Sequence, residues 1–225
     1  MIKRNYKVFL LLVLYIWLVD FSISFFNSFL SSTVSNLVFI FMQFLVCSSL
    51  VFLLRDEFRV GFKKITENIK RIWIIPVFLV LDFGLQIVIN NLISTNSTNQ
   101  NGLEHLIQSS SPIGVMLLSI LVVLVGPVVE EIIFQYFIQK LIVKNSLLNL
   151  GINKKLTITI SILVATLLFM MFHMQTWSDI TNLTFLGYSD LIFFAILYSA
   201  RDDNLMYPII LHVCSNTIAF LSVLL

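Results

Sequence analysis

Charged residues are scarce in this chain of 225 residues: Asp, Glu, Lys and Arg together make up 12% of it, whereas 58% of its residues are hydrophobic. The mean hydropathy of +0.96 lies far outside the range of a soluble domain of this length. The composition therefore predicts a polytopic membrane protein. The net charge of +2 gives no reason to expect a nucleic-acid partner, and membrane lipid is the partner that the composition implies.

Cysteine is also rare. The two cysteines, Cys47 and Cys214, both lie in apolar stretches, which argues against a disulfide framework and favours buried small side chains. The chain lacks a Walker loop, a GxGxxG sequence, a CxxC pair and a detectable internal repeat. These absences give no support to nucleotide binding, redox chemistry or a transporter built from repeats.

Long apolar runs dominate instead. About seven of them, with six to eight as the range, have the roughly 18 to 25 residues that a helix needs to cross ~30 Å of hydrocarbon. They cover residues 8–30, 36–54, 72–92, 112–138, 157–176, 183–200 and 207–225. The sequence therefore predicts an all-α membrane bundle, with a three-span N-terminal region over residues 1–111 and a core over residues 112–225.

Basic residues lie on one side of this predicted topology. All 14 Lys and Arg residues precede the first span or fall in alternate connections, and the other connections have none. Because basic residues beside spans are retained in the cytoplasm, we expect a cytoplasmic N-terminus and an external C-terminus. The first span is expected to be an uncleaved anchor rather than a secretory signal.

The first basic connection, residues 55–71, has apolar residues at helical spacing: Phe58, Phe62, Ile65 and Ile69. This spacing is typical of an amphipathic helix that lies at the membrane interface. A solvated connector is the alternative.

Polar side chains lie inside three of the predicted spans: Glu130 and Glu131, His173, and His212 with Asn216. Ionisable groups are costly in a bilayer unless they face one another or a wet cavity, so they indicate a functional site. Asp20 and Asp82 also lie mid-span, but they have no patterned neighbour. Interhelical hydrogen bonding or the lining of a wet groove is the simpler explanation for those two.

Glu130 and Glu131 are adjacent, so on a helix their side chains diverge by ~100° and cannot reach the same atom. Two roles follow: one carboxylate faces a cavity as a base, and the other is held by a donor from another span. The two histidines within spans are the expected donors. His212 and Asn216 are four residues apart and share a helix face on which both could stabilise an oxyanion.

The same residues allow a second chemical interpretation. Glu130, His173 and His212 could bind a divalent metal such as zinc, leaving one position open for water. Alternatively, Glu130 activates water directly while the other side chains orient and stabilise. No HExxH pair is present, so the metal stays open, and no other cofactor is predicted.

Three ordered segments carry a family resemblance: GPVVEEIIFQ at 126–135, FMMFH at 169–173 and HVCSN at 212–216. They resemble the EExxxR, FxxxH and HxxxN motifs of the CAAX protease and bacteriocin-processing (CPBP) family of intramembrane endopeptidases. That family includes type II CAAX prenyl proteases and proteins like lysostaphin resistance protein A. The order of the motifs and their placement in separate spans make the combination specific.

The resemblance implies an all-helical membrane protein that hydrolyses a peptide bond in a cavity open to the cytosol. It implies that Glu130 is the general base, that His173 is its partner, and that His212 and Asn216 stabilise the oxyanion. Glu131 is the second carboxylate of the motif. The implied substrates are membrane-associated or small peptides, with bacteriocin processing or self-immunity among the roles, and a bacterial plasma membrane is the expected location.

The chain departs from the family pattern at Gln135, where relatives have arginine. Glu131 could accept only a neutral hydrogen bond from this amide instead of pairing with a cation. Two hypotheses follow. The first is an active intramembrane endopeptidase, and the second is a catalytically attenuated membrane scaffold or immunity protein that binds without cleaving.

Overall fold

The structure, a computed structural model, describes residues 2–28, 32–92, 107–108, 111–174, 176 and 178–224. The chain is about 90% helical, and the described residues include no strand. This confirms the predicted all-α class. His105 and the side chain of Asp20 lie outside the described residues.

The described helices follow the predicted spans closely. They are α1 Ile2–Asn27, α2 Ser32–Leu53, α3 Arg55–Thr66, α4 Ile74–Leu92, α5 Pro112–Asn149, α6 Lys154–Phe172, α7 Ser178–Thr181, α8 Ile192–Ala200 and α9 Met206–Leu224. Two 3₁₀ segments, Ile69–Trp73 and Thr184–Leu191, lead into α4 and α8. By length and composition, α2, α4 with its 3₁₀ turn, α5, α6 and α9 can each cross a membrane. The first and sixth predicted spans correspond to α1 and to the shorter apolar stretch Thr184–Ala200.

Local sequence explains where α5 and α6 begin and where α5 ends. Oγ of Ser111 accepts a hydrogen bond from the backbone N–H of Gly114 at 3.2 Å, and Oδ1 of Asn153 accepts one from Leu156 at 2.9 Å. Both are N-caps that satisfy free amide groups of a first turn. Gly151 has φ of +76°, the left-handed conformation that closes a helix and that glycine adopts without strain.

α5 is longer than its predicted span of residues 112–138, because the helix continues to Asn149. Its π-helical segments Ile120–Val125 and Ile132–Lys144 flank a short α-helical piece, Gly126–Glu131. π-helical turns are frequent at functional sites. The glutamate pair therefore lies where the geometry of the helix changes.

The predicted cytoplasmic segments meet at one end of the bundle. Nζ of Lys144 lies 2.7 Å from Asp203, while Arg4 and Lys140 lie 3.3 and 3.7 Å from the Glu57 carboxylate. These residues come from the N-terminal segment, from α3, and from the ends of α5 and α8. Their contacts place the basic segments together, as the predicted topology requires.

The amphipathic connector is helix α3, and part of its predicted apolar face packs on the bundle. Ile65 is buried and Phe58 is half-buried, whereas Phe62 and Ile69 remain 59% and 60% exposed. Nδ2 of Asn204 donates to the backbone O of Gly61 at 3.1 Å, so α3 approaches the connection before α9 closely.

Large apolar side chains cover the outside of the bundle. Phe41 is 61% exposed and Val80 is 72% exposed, and many similar residues surround them. Such a surface is unfavourable in water but matches the hydrocarbon of a bilayer. The chain is therefore a multi-pass integral membrane protein.

Candidate active site

His212 and Glu131 form a buried pair that joins α9 to α5. Nδ1 of His212 lies 2.9 Å from Oε1 of Glu131, and the two residues are 3% and 0% exposed. An imidazole nitrogen and a carboxyl oxygen at this distance share one hydrogen bond. This bond fixes the orientation of the ring and directs its other nitrogen, Nε2, away from Glu131.

Nε2 of the same imidazole faces Glu130, whose Oε2 lies 3.7 Å away. That distance is longer than a direct hydrogen bond. The Glu130 side chain retains 16% exposure, whereas that of Glu131 has none. Adjacent carboxylates that diverge on their helix thus meet opposite nitrogens of one ring, and Glu130 is the more accessible of the two.

Gly126 lies one turn before Glu130 and leaves space beside its carboxylate. A Cβ at this position would lie 3.5 Å from Oε1 of Glu130 and 3.2 Å from the backbone O of Leu121. A larger residue would therefore fill the side of the carboxylate that glycine leaves open.

Aromatic rings surround the imidazole of His212. Phe194 of α8 stacks on it with a centroid distance of 4.6 Å and an interplanar angle of 20°. Phe169 of α6 lies 5.9 Å from it, and Phe134 of α5 stacks on Phe169 at 4.0 Å. All three phenylalanines are buried, so they hold the ring and keep its surroundings weakly polar, which strengthens its electrostatic contacts.

Asn216 lies one turn after His212 and holds the upstream part of α5. Its Nδ2 donates to the backbone O of Val122 at 2.9 Å, within the π-helical segment. An amide nitrogen carries two hydrogens, so this bond leaves one hydrogen for a ligand.

His173 lies immediately after the last residue of α6, apart from the glutamate pair. Its Nδ1 donates to the backbone O of Phe169 at 3.1 Å, and its ring lies 4.8 Å from that of Tyr188. The ring of Phe169 contacts both imidazoles, at 5.3 Å from His173 and 5.9 Å from His212. Among the described residues, the ion pairs of the two glutamates are with His212 and not with His173.

Gln135 lies beside Glu131 and is fully buried. In the part of the chain that the structure describes, neither polar atom of its amide has a hydrogen bond of good geometry, and Oε2 of Glu131 also lacks one. Gln139, one turn further on, donates to the backbone O of Ala195 at 3.1 Å and to Ser199 at 2.8 Å. The amide of Gln135 therefore does not supply the countercharge that the family arginine would provide.

The three candidate metal ligands do not converge. Across the described residues, no group of three His, Cys, Asp or Glu side chains is arranged to hold a metal ion. Glu130 and His212 are neighbours, whereas neither glutamate pairs with His173. Zinc requires all its ligands at ~2 Å. As positioned, these three side chains do not form a metal-binding group.

The sequence patterns did not predict two aromatic neighbours of the site. Tyr15 of α1 is buried near Glu130, and Phe194 of α8 stacks on His212. Both lie in aromatic-rich apolar runs, where no local signal distinguishes a ring at the site from one in the core. The predicted interhelical bonding of Asp82 is confirmed, since Ser215 donates to it at 2.7 Å.

The fold and the site together define a polytopic helical membrane protein with a carboxylate–imidazole cluster between its spans. A family model, type II CAAX prenyl endopeptidase Rce1-like, matches residues 112–218. This match confirms the resemblance carried by the three motifs. At the family level, the match supports a CAAX-type intramembrane protease. Neither a curated protein nor a solved structure matches the chain.

Proposed function

We propose that the chain hydrolyses a peptide bond with a water molecule activated by Glu130. The observation that carries this proposal is the unequal exposure of the two carboxylates that face one imidazole. Glu131 is fully buried against Nδ1 of His212, whereas Glu130 is partly exposed and faces Nε2. A general base must reach the water that it deprotonates, so Glu130 is the base and Glu131 orients the ring.

In this mechanism a water molecule donates one hydrogen to Glu130 and the other to Nε2 of His212. As its oxygen bonds to the peptide carbonyl carbon, its proton moves to Glu130 and the carbonyl oxygen becomes an oxyanion. The free N–H of Asn216 stabilises that oxyanion. Glu130 then gives the proton to the amide nitrogen while the C–N bond breaks, which releases a carboxylic acid and an amine. Proton transfer from the acid to the amine leaves a carboxylate and an ammonium group as the products.

We also propose that His173 supplies a second imidazole, which contacts the substrate rather than Glu130. Its bond from Nδ1 to the backbone O of Phe169 fixes the ring and leaves Nε2 as the nitrogen that can meet a peptide. This assignment differs from the role implied by the resemblance, in which His173 assists Glu130.

Cleavage by the protein in liposomes tests the proposal, with a farnesylated peptide ending in a CAAX sequence and an unprenylated small peptide as separate probes. Glu130→Gln, His173→Ala and His212→Ala are expected to lose activity, the first by about 10²- to 10⁴-fold. Glu67→Gln is the matched control, because Glu67 is exposed and pairs only with Lys63 on its own helix among the described residues. Full activity in all three site variants, when folded and inserted, would overturn the mechanism.

The two probes also separate the substrate classes. Cleavage of the farnesylated peptide alone supports a CAAX substrate. Cleavage of the unprenylated peptide supports the processing of small peptides such as bacteriocins.

A second candidate function, binding without efficient cleavage, is favoured by Gln135, a neutral amide that lies beside Glu131 in place of the family arginine. Gln135→Arg would restore the family countercharge, and Gln135→Leu is the uncharged control. A natural chain that binds peptide but cleaves it slowly, together with a faster Gln135→Arg variant, would establish attenuation. Equal or lower activity in Gln135→Arg would reject it.

A further inference from the structure

A second polar network lies between α4, α9 and the 3₁₀ segment before α8. Oγ of Ser215 donates to Oδ2 of Asp82 at 2.7 Å. Nε2 of Gln86 donates to Oδ1 of Asp82 at 3.3 Å and to Oδ2 of Asp190 at 3.2 Å. Asp82, Ser215 and Asp190 are 0%, 6% and 9% exposed, so the network is internal. Asp82 is its centre because both of its carboxylate oxygens are engaged.

This network acts on the turn of α9 that carries the candidate site. Within that turn, His212 contacts the glutamates of α5, Ser215 contacts Asp82 of α4, and Asn216 contacts the backbone O of Val122. Three polar contacts in different directions determine the rotation of a helix about its axis, whereas apolar packing tolerates small rotations. If the bond to Asp82 is lost, α9 can rotate and change the 3.7 Å separation between His212 and Glu130.

The same network also reaches the segment that packs against His173. The 3₁₀ segment Thr184–Leu191 contains both Asp190, which binds Gln86, and Tyr188, whose ring lies 4.8 Å from that of His173. Asp82 therefore joins the segment against which His173 packs to the helix that carries His212. It belongs to α4, outside the family match at residues 112–218.

We propose that Asp82 is a positioning residue of the candidate active site, acting through Ser215 on the His212 helix and through Gln86 and Asp190 on the segment beside His173. This inference rests on the proposed peptidase function. It assigns the N-terminal region a direct part in the geometry of the site, although the recognised motifs all lie in the core.

A double-mutant cycle tests this role in the cleavage assay. Asp82→Ala and Ser215→Ala are each expected to lower kcat by about tenfold or more with little change in KM, and the double variant to lose no more than either single variant. Asp82→Asn keeps a carbonyl oxygen for Ser215 and is expected to remain within about threefold of the wild type. Ser222→Ala is the control on the same helix, since Ser222 is exposed and bonds to its own helix.

A native thiol gives a second measurement that needs no cleavage. Cys214 lies between His212 and Ser215 on α9 and is half-buried, and Cys47→Ser would make it the only thiol in the chain. In that background, Asp82→Ala is expected to change the alkylation rate of Cys214 by a membrane-permeant maleimide several-fold. Asp82→Asn and Ser222→Ala are expected to leave it unchanged.

The two measurements separate this inference from the proposed function. Wild-type kcat and wild-type Cys214 reactivity in folded Asp82→Ala would overturn the positioning role even if His212→Ala is inactive. An additive double variant would also overturn it, because Asp82 would then not act through Ser215. If the natural chain cleaves neither probe, the peptidase proposal fails, and the alkylation rates still decide whether Asp82 sets the rotation of α9.

Discussion

Glu131→Gln is expected to lower kcat for peptide cleavage while KM stays close to its wild-type value. The carboxylate is fully buried 2.9 Å from Nδ1 of His212, so it orients the ring without reaching a substrate. A hydrogen bond to a charged group contributes about 1.5–3 kcal/mol to stability. Each ~1.4 kcal/mol in the transition state is a factor of ten in rate. Glutamine keeps a carbonyl oxygen for Nδ1, so only the difference from a neutral hydrogen bond, about 1–1.5 kcal/mol, is lost. If this difference is expressed fully in the transition state, kcat falls by about 5- to 10-fold.

The assay compares Glu131→Gln with Glu130→Gln, which makes the same neutral, isosteric change at the neighbouring position. Initial rates over a range of peptide concentrations in liposomes separate kcat from KM, and thermal unfolding confirms that both variants are folded. Glu130→Gln is expected to show the larger loss, since it removes the base itself. A wild-type kcat in Glu131→Gln, or a loss confined to KM, would refute the reasoning.

Three further predictions use other contacts of the structure. Gly126→Ala is expected to reduce cleavage, because its methyl group would lie 3.5 Å from Oε1 of Glu130 and 3.2 Å from the backbone O of Leu121. Gly84→Ala is the control, since its added methyl group would have no neighbouring atom within 4 Å. Gly61→Ala is expected to lower the free energy of unfolding by about 1–3 kcal/mol, because its methyl group would overlap the Asn204 side chain. Thermal denaturation in detergent measures this change, and a wild-type melting temperature would contradict it. A zinc chelator is expected to leave cleavage unchanged, because the three candidate ligands do not converge; loss of activity that added zinc restores would show that they do.

The membrane spans could be predicted because the hydropathy of neighbouring residues adds up along each span. Transfer of a helix into hydrocarbon depends on the summed apolarity of about 20 residues, so the ends of α4 and α9 fall within a few residues of prediction. The end of α5 was not predictable in this way. The helix continues past residue 138 because its basic end is held by contacts with distant segments, including the pair between Lys144 and Asp203.

The candidate site was predictable in its members and less so in its arrangement. Helix geometry alone required Glu130 and Glu131 to diverge, and the cost of buried charge required partners from other spans. The pattern did not show that one imidazole, His212, meets both carboxylates through opposite nitrogens. Phe169 contacts both imidazoles, and no spacing in the sequence distinguishes it from an ordinary core residue.

The sequence by itself determined the membrane-embedded helical class, the family resemblance of the three motifs, and the scarce ionisable residues inside the spans, because each depends on composition or short local spacing. Only the tertiary structure decided which carboxylate is accessible, which histidine the glutamates share, and that Asp82 of the N-terminal region bonds to the helix of His212. Those facts depend on the rotation and tilt of helices against one another. Side chains distant in sequence set these jointly, so no single segment encodes them.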